Sequence, residues 1–336
     1  MKLEKRKLEI LSAIVDLYTK TLQPVGSRTV CDCLNFNVSP ATVRNEMASL
    51  AELGLIAQPH VSAGRMPLSL GYRVYLDSLS HVCTISKRER EELDGGLAEV
   101  SSDPERVVEG SAEILAKSTG CTTVFTAPTS AEFRVRAVKF IRIGQRSAMV
   151  ILIVSTGMVK SRIFGCRFNI TDEVLGIFEK VAQKFVGASL GELDSLALCA
   201  LNVLEDGNFL VPAIDALIDV IKDAAAVEVI VKGERNLFSE SNFEPDVALT
   251  IWEFLNNRAK VIEFLKSKIS KCILVGDEVG APKMEQASII VSSYRAGQSS
   301  GKIALVGSIH MNYTQNLAKI EYISKFMEEI LYKFFS

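Results

Sequence analysis

Histidine and tryptophan are scarce in this chain, which has three histidines and one tryptophan in 336 residues. The imidazoles sit at His60, His81 and His310, far apart in sequence, so no His-centred triad or His-rich metal cluster suggests itself. Seven cysteines, at positions 31, 33, 83, 121, 166, 199 and 272, include no CxxC pair. That pattern reads as reduced core thiols rather than as a disulfide framework or a zinc site. GxGxxG after a strand, Walker A and HExxH are all missing. Asp277 and Glu278 of "VGDEVGAP" are adjacent carboxylates on an expected loop, where neighbouring positions point apart. No catalytic role, cofactor or metal is expected. No apolar run approaches the roughly 18 residues needed to cross a bilayer, and no basic stretch precedes an apolar core at the N-terminus. The reading is a cytoplasmic protein that does not engage a membrane. A large excess of positive charge is absent too: the net charge is −2. Its distribution is uneven, because residues 1–80 hold nine Lys and Arg against seven Asp and Glu. A weakly basic N-terminal part allows phosphate contacts, with specificity left to base contacts and dimer geometry. With 48% hydrophobic and 23% charged residues, the chain has the composition of a globular protein of two or three domains.

What is present is concentrated in residues 39–65, "SPATVRNEMASLAELGLIAQPHVSAGR". Ser39 is a good N-cap, and Pro40 at the first helical position gives up an amide that had no partner there. Val43, Met47, Leu50 and Leu53 recur at helical spacing as one apolar face, and Gly54 can close the helix in a left-handed conformation. The opposite face presents Thr42, Arg44, Asn45 and Ser49. Such groups read base edges or grip phosphates, with Arg matching guanine and Asn matching adenine. Upstream, residues 5–19 place Leu8, Leu11, Val15 and Tyr18 on a stripe that Ile10, Ile14 and Leu17 widen. After Gln23-Pro24-Val25-Gly26, Ser27 is expected to cap a short helix carrying Arg28, Thr29, Val30 and Leu34. Two short helices joined by a tight turn make a helix-turn-helix. Leu55 and Ile56 then begin a strand, and Pro59 to Gly64 form a turn whose tip carries His60 and Arg65, a wing able to meet phosphate or the minor groove. The expected DNA-binding residues are Ser27, Arg28, Ser39, Thr42, Arg44, Asn45, Ser49, His60 and Arg65.

Beyond Leu79 a charged, partly helical connection leads to a strand-rich stretch. "CTTVFTAP", "RAVKFIRIG", "AMVILIVSTG" and "VKSRIFGC" are separated by Gly-containing turns and read as an antiparallel meander. Strands resume as "VEVIVKG", "KCILVGDE", "SIIVSSYRA" and "KIALVGSIHM", with helices expected over 246–269 and 313–335. Between the two sets, residues 170 to about 226 are helical in pattern. Val174, Ile177, Phe178, Val181 and Phe185 form one face there, and Ile214, Leu217, Ile218 and Ile221 another. These faces suit either a dimer contact or an internal core. A dimer is what a single helix-turn-helix needs to read a palindrome.

"PVGSRTV", "SPATVRNEMASLAELGLIAQPHVSAGRMP" and "GYRVYLDSL", in this order across residues 24–79, resemble the signature blocks of the bacterial heat-inducible transcription repressor family HrcA. A weaker match runs from "LVGDE" through "SIIVSSYRAG" to "GKIALVGSIHMNYTQNLAKIEYIS". The family's usual Gly-Pro-x-Arg-Met-x-Tyr is replaced by Gly307-Ser308-Ile309-His310-Met311-Asn312-Tyr313, so a role of that Arg passes to His310 at most in part, as an anchor for the last helix. The resemblance implies a multidomain α+β protein. It would have a winged helix-turn-helix at 1–79, a GAF-like α/β domain with an antiparallel sheet at 80–169 and 227–336, and a helical inserted dimerisation domain at 170–226. It also implies a homodimeric repressor of chaperone operons, bound to an inverted-repeat operator in double-stranded DNA and kept active by the GroEL chaperonin. The alternative is a winged-helix regulator that senses a small molecule in the GAF-like pocket. Phe125, Phe140, Phe164 and Trp252 are expected to fill that space instead.

Overall fold

The computed structural model describes residues 3–60, 63–79, 84–100, 104–128, 133–155, 157–189, 192, 210–239, 243–269, 271–280, 284–297 and 299–335. Val61, Ser62 and His81 lie outside the described residues. The chain divides into two compact units. One comprises Met1–Phe125, Val229–Ser293 and Lys302–Phe326; the other comprises Thr126–Glu228, Tyr294–Gly301 and Met327–Ser336.

The first unit begins with a helical triad. α1 (Lys5–Thr21) buries Ile10, Leu11, Ile14, Val15 and Tyr18, the stripe its spacing predicts. It packs against α2 (Ser27–Cys33) and α3 (Pro40–Glu52). β1 (Ile56–Ala57) and β2 (Met66–Pro67) then pair antiparallel, Ile56 opposite Pro67 and Ala57 opposite Met66, to make the wing. α4 (Ser69–Ser78) returns the chain across α1 and buries Tyr72, Val74, Tyr75 and Leu76.

After α4, the packed pair α5 (Lys87–Val100) and α6 (Pro104–Thr119) leads into β3 (Thr122–Thr126). This strand does not open the meander that the sequence suggests. It pairs antiparallel with a distant strand, Val124 lying opposite Ala304, in a five-stranded sheet. All five β3 residues are buried because both faces are covered. Successive strand residues point to opposite faces: the Thr123 hydroxyl donates to the Ala112 carbonyl of α6 at 2.8 Å, while Val124 joins a core with Ala248, Ile251, Leu255, Val261 and Leu265.

The second unit holds the true meander, β4 (Val135–Gly144), β5 (Ser147–Val154) and β6 (Val159–Gly165), each antiparallel to its neighbour. Burial alternates along β5: Ala148, Val150, Leu152 and Val154 face inward, and Met149, Ile151 and Ile153 are half-buried. Two helices cover the inner face, α7 (Asp172–Gln183) and α8 (Val211–Ala225). Phe140, Phe164 and Phe178 pack with ring centroids 5.4–6.0 Å apart. The described helices of residues 170–226 thus share one core with strands from residue 135 onward, in a unit that begins at Thr126 rather than at residue 170. Their apolar faces also serve an internal core, with Phe178, Phe185, Ile214, Leu217 and Ile221 buried on the sheet.

The chain re-enters the first unit at Val229 and continues through β7 (Val229–Lys232), α9 (Pro245–Asn256), α10 (Arg258–Lys266), β8 (Cys272–Val275), β9 (Ala287–Ala296), β10 (Ser299–Ser308) and α11 (Tyr313–Phe335), of which Tyr294–Gly301 and the end of α11 from Met327 are counted with the second unit. The sheet order is β7-β3-β10-β9-β8, with β8 antiparallel to β9. The single helix expected over 246–269 is broken at Asn257, whose carboxamide accepts from the Lys260 amide at 3.2 Å and caps a second helix. Trp252 is 41% exposed on α9, so the expectation that it fills a core is corrected. Phe125 is fully buried as expected, whereas Phe140 and Phe164 are buried in the core of the other unit.

Candidate nucleic-acid interface

α3 starts where its signals put it. Ser39 is the N-cap, its Oγ accepting from the Thr42 amide at 3.1 Å, and Pro40 opens the helix. Ser39 Oγ and Thr42 Oγ1 also share a hydrogen bond of 2.8 Å, so both hydroxyls are engaged in the cap. Val43, Met47 and Leu50 are buried against the module, while Leu53 is 41% exposed and lies off the apolar face assigned to it. Leu53 is already the C-terminal cap residue, where the face turns outward. Gly54 takes φ 70°, the left-handed closure expected of it. Arg44 and Asn45 are exposed side by side on α3, and Ser49 is half-buried one turn later. On α2, Arg28 is exposed and Ser27 half-buried. Ser27 is the first helical residue rather than the cap; Gly26 occupies the cap position without a side-chain bond.

The wing is tied at its root. Val25 and Arg65 exchange two backbone hydrogen bonds, of 2.8 and 2.9 Å. That approach needs glycine at position 64, where a Cβ would lie 2.5 Å from the Val25 carbonyl. Gln58 closes the loop by donating to the Ala63 carbonyl at 3.0 Å, leaving His60 exposed near the turn. Arg65 is not at the tip. It stands at the root, half-buried, with its Nε buried and unpartnered. The sequence reading missed this because a turn's chemistry does not reveal which strand of the hairpin its last residue joins.

The module is seated on the rest of the first unit through α4, which sequence reasoning left without a role. The Tyr72 hydroxyl lies 2.9 Å from His310 Nδ1, and the His310 ring meets Tyr18 edge-on at 5.2 Å. Tyr75 donates to Asp16 at 2.7 Å and lies 3.2 Å from Thr314 Oγ1. Arg73 donates to the Ile273 carbonyl at 2.8 Å and to Glu278 at 3.1 Å. Glu278 also accepts the Val275 amide, so the adjacent carboxylates noted in the sequence include a structural one. Burial raises the pKa values of Tyr18, Tyr72 and Tyr313, and burial lowers that of His310. The available signal was the grouping Tyr72, Arg73, Tyr75: large polar-tipped residues that need partners once buried.

Two stretches, Gly187–Gly191 and Gly297–Gly301, spell GxSxG. Among the described residues, Ser189 forms an isolated bridge with Arg134, and Ser299 opens β10 as part of a sheet.

Residues 2–78 match the family described as the winged helix-turn-helix transcription repressor, HrcA DNA-binding, and residues 105–316 match the HrcA protein C terminal domain. The heat-inducible transcription repressor HrcA of Clostridium perfringens (strain SM101 / Type A) is 29% identical over 98% of this chain and 99% of its own length. That of Nocardioides sp. (strain ATCC BAA-499 / JS614) is 30% identical over 98% of each. A crystal structure of a hypothetical protein at 2.2 Å resolution superposes on 99% of this chain and 98% of its own, with a TM-score of 0.64 and 24% identity, a likeness of fold.

Replacing the cap by Ser39→Ala should destabilise α3 by about 0.5–2 kcal/mol, read as a lower midpoint in thermal or urea unfolding. An unchanged midpoint would remove Ser39 from the helix start.

Proposed function

The chain belongs to the HrcA family of heat-inducible transcription repressors, and from that membership we propose that it represses chaperone operons by seating α3 in the major groove of an inverted-repeat operator. The observation that carries this reading is the pairing of a capped helix presenting Arg44 and Asn45 with a wing fixed at its root beside it. In this reading Arg44 and Asn45 contact base edges, Arg28, Ser49 and His60 contact phosphates, and Ser27, Ser39 and Thr42 act mainly through helix geometry. Arg65, half-buried at the wing root, would reach phosphate only at the edge of the interface. The near-balanced charge of residues 1–80 favours moderate, salt-sensitive affinity.

Each winged helix reads one half-site, so the operator requires two copies. We place the second copy on the outer face of the β4-β5-β6 sheet rather than on the helices, most of whose apolar residues pack on their own sheet, with Ile177 left 39% exposed. Ile141 and Ile163 flank Met149 across the strands, and Val159 lies beside Ile153. Ile141, Ile143, Val159 and Ile163 are 45–62% exposed. A two-fold interface must be self-complementary, and among the described strand residues of this face the charged one is Lys139, itself 3.9 Å from Glu179, which brings little like-charge repulsion when the face meets itself. The five-stranded sheet with helices on both faces would be the GAF-like part. Its filled apolar interior speaks for a structural body rather than a small-molecule sensor. Maintenance of activity by the GroEL chaperonin rests on the family resemblance alone.

Arg44→Ala should weaken binding to the duplex upstream of the chaperonin operon by about 1–3 kcal/mol and relax sequence preference, as read by fluorescence anisotropy across operator variants. Equal affinity on every variant would refute base reading by Arg44. Ile163→Glu should convert the dimer to monomer in sedimentation velocity; a dimer that persists would move the interface elsewhere.

A further inference from the structure

His310 is placed where the DNA-binding module meets the body that carries it. The imidazole comes from the link between β10 and α11, and its contacts are on α1 and α4. Tyr72, which bonds it, also packs against Tyr313 at 5.8 Å and has Thr19 beside its hydroxyl. One ring thus spans two helices of the winged helix and the start of α11. We propose that His310 is the positioning residue of the DNA-binding module: it holds the winged helix in one register on the body, and its protonation releases that register and lowers operator affinity. The link to operator affinity rests on the paired half-site reading given above.

The groups around the imidazole decide the sign. The ring itself meets Tyr18 of α1 and Tyr72 of α4; the other titratable groups of this junction are Asp16 and Lys20 on α1 and Tyr75 on α4, beside the neighbouring cleft, and Arg73 and Glu278, which act on Tyr313 of α11. The Asp16 carboxylate is taken by the Tyr75 hydroxyl, and Glu278 by Arg73 and the Val275 amide. Among the described residues no carboxylate bonds the ring, and burial is the cause that holds its pKa below the ordinary 6.5. A neutral imidazole carrying its proton on Nε2 accepts the Tyr72 hydroxyl at Nδ1. A second proton turns that acceptor into a donor and places an added charge in a half-buried site. The seated state therefore binds the proton less well than a released one. Seating is at full strength above pH 6.5 and weakens as pH falls through the lowered value. Beside the same helices lies a cleft of about 230 Å³, lined by Asp16, Thr19, Lys20, Tyr75 and Thr314 among others.

The test uses the full chain. Histidine labelled with ¹⁵N gives resonances from only three residues, and His310→Gln identifies the one in question. The expected result is a His310 titration below 6.5. Amide exchange in α4, corrected for intrinsic rates, should be faster at about pH 5.5 than at about pH 7.5, by up to about tenfold for each unit of pKa lowering. His310→Gln and His310→Asn should flatten that step and the matching fall in operator affinity; His60 is present in every protein compared, so its effect cancels. Titration at or above 6.5, or an unchanged pH step in both variants, would overturn the proposal. Absence of operator binding at either pH would instead defeat the repressor reading, and the exchange step would still judge the role of His310.

Discussion

A buried tyrosine hydroxyl must find a partner, and that requirement organises the DNA-binding end of this chain. Leaving such a group unpaired costs about 1–3 kcal/mol, more than a typical hydrogen bond returns when made. α4 buries two of them, Tyr72 and Tyr75, and the partners come from both sides: Asp16 from α1, His310 and Thr314 from the segment around the start of α11. Arg73 adds the Ile273 carbonyl and Glu278. Close approach completes the fit, because a Cβ at Gly71 would lie 2.1 Å from the Leu55 carbonyl. The winged helix is thus part of one packed unit with the five-stranded sheet, rather than a module on a free tether.

Such seating matters for reading DNA. On the paired half-site reading proposed above, two recognition helices reach both half-sites only when they sit at a fixed spacing. Rigid seating converts the second contact into an intramolecular event, and a loose tether would dilute it. Residues 1–80 hold nine Lys and Arg against seven Asp and Glu, so on the same reading base contacts and geometry, rather than net charge, carry most of the specificity.

The parts legible in the sequence were those written in local chemistry. Ser39-Pro40 announced a helix start and Gly54 its end, and the stripe of α1 and the extent of α11 followed from spacing alone. Long-range pairing carries no such mark. β3 has the same strand signature as β4, yet its partner is β10, nearly two hundred residues away, while β4 pairs with its neighbour. That is why one apparent meander became strands of two sheets. The helical faces of α7 and α8 showed that something would cover them, without showing whether it was a second chain or their own sheet. At the candidate site, Arg44 and Asn45 emerged exposed as read. Arg65 moved to the wing root because the Val25–Arg65 pairing joins segments forty residues apart. His310, the residue where the chain departs from the family's usual pattern, proved to be the partner of Tyr72.

The central claim is that α4 belongs to both the winged helix and the body. Native-state amide exchange on the full chain under increasing denaturant tests it most directly. If the claim holds, amides of α4 and α1 open together with those of β3 and β10, at the same free energy. Opening of α1 to α4 at much lower denaturant, with β3 and β10 still protected, would contradict it and leave the winged helix an independent module.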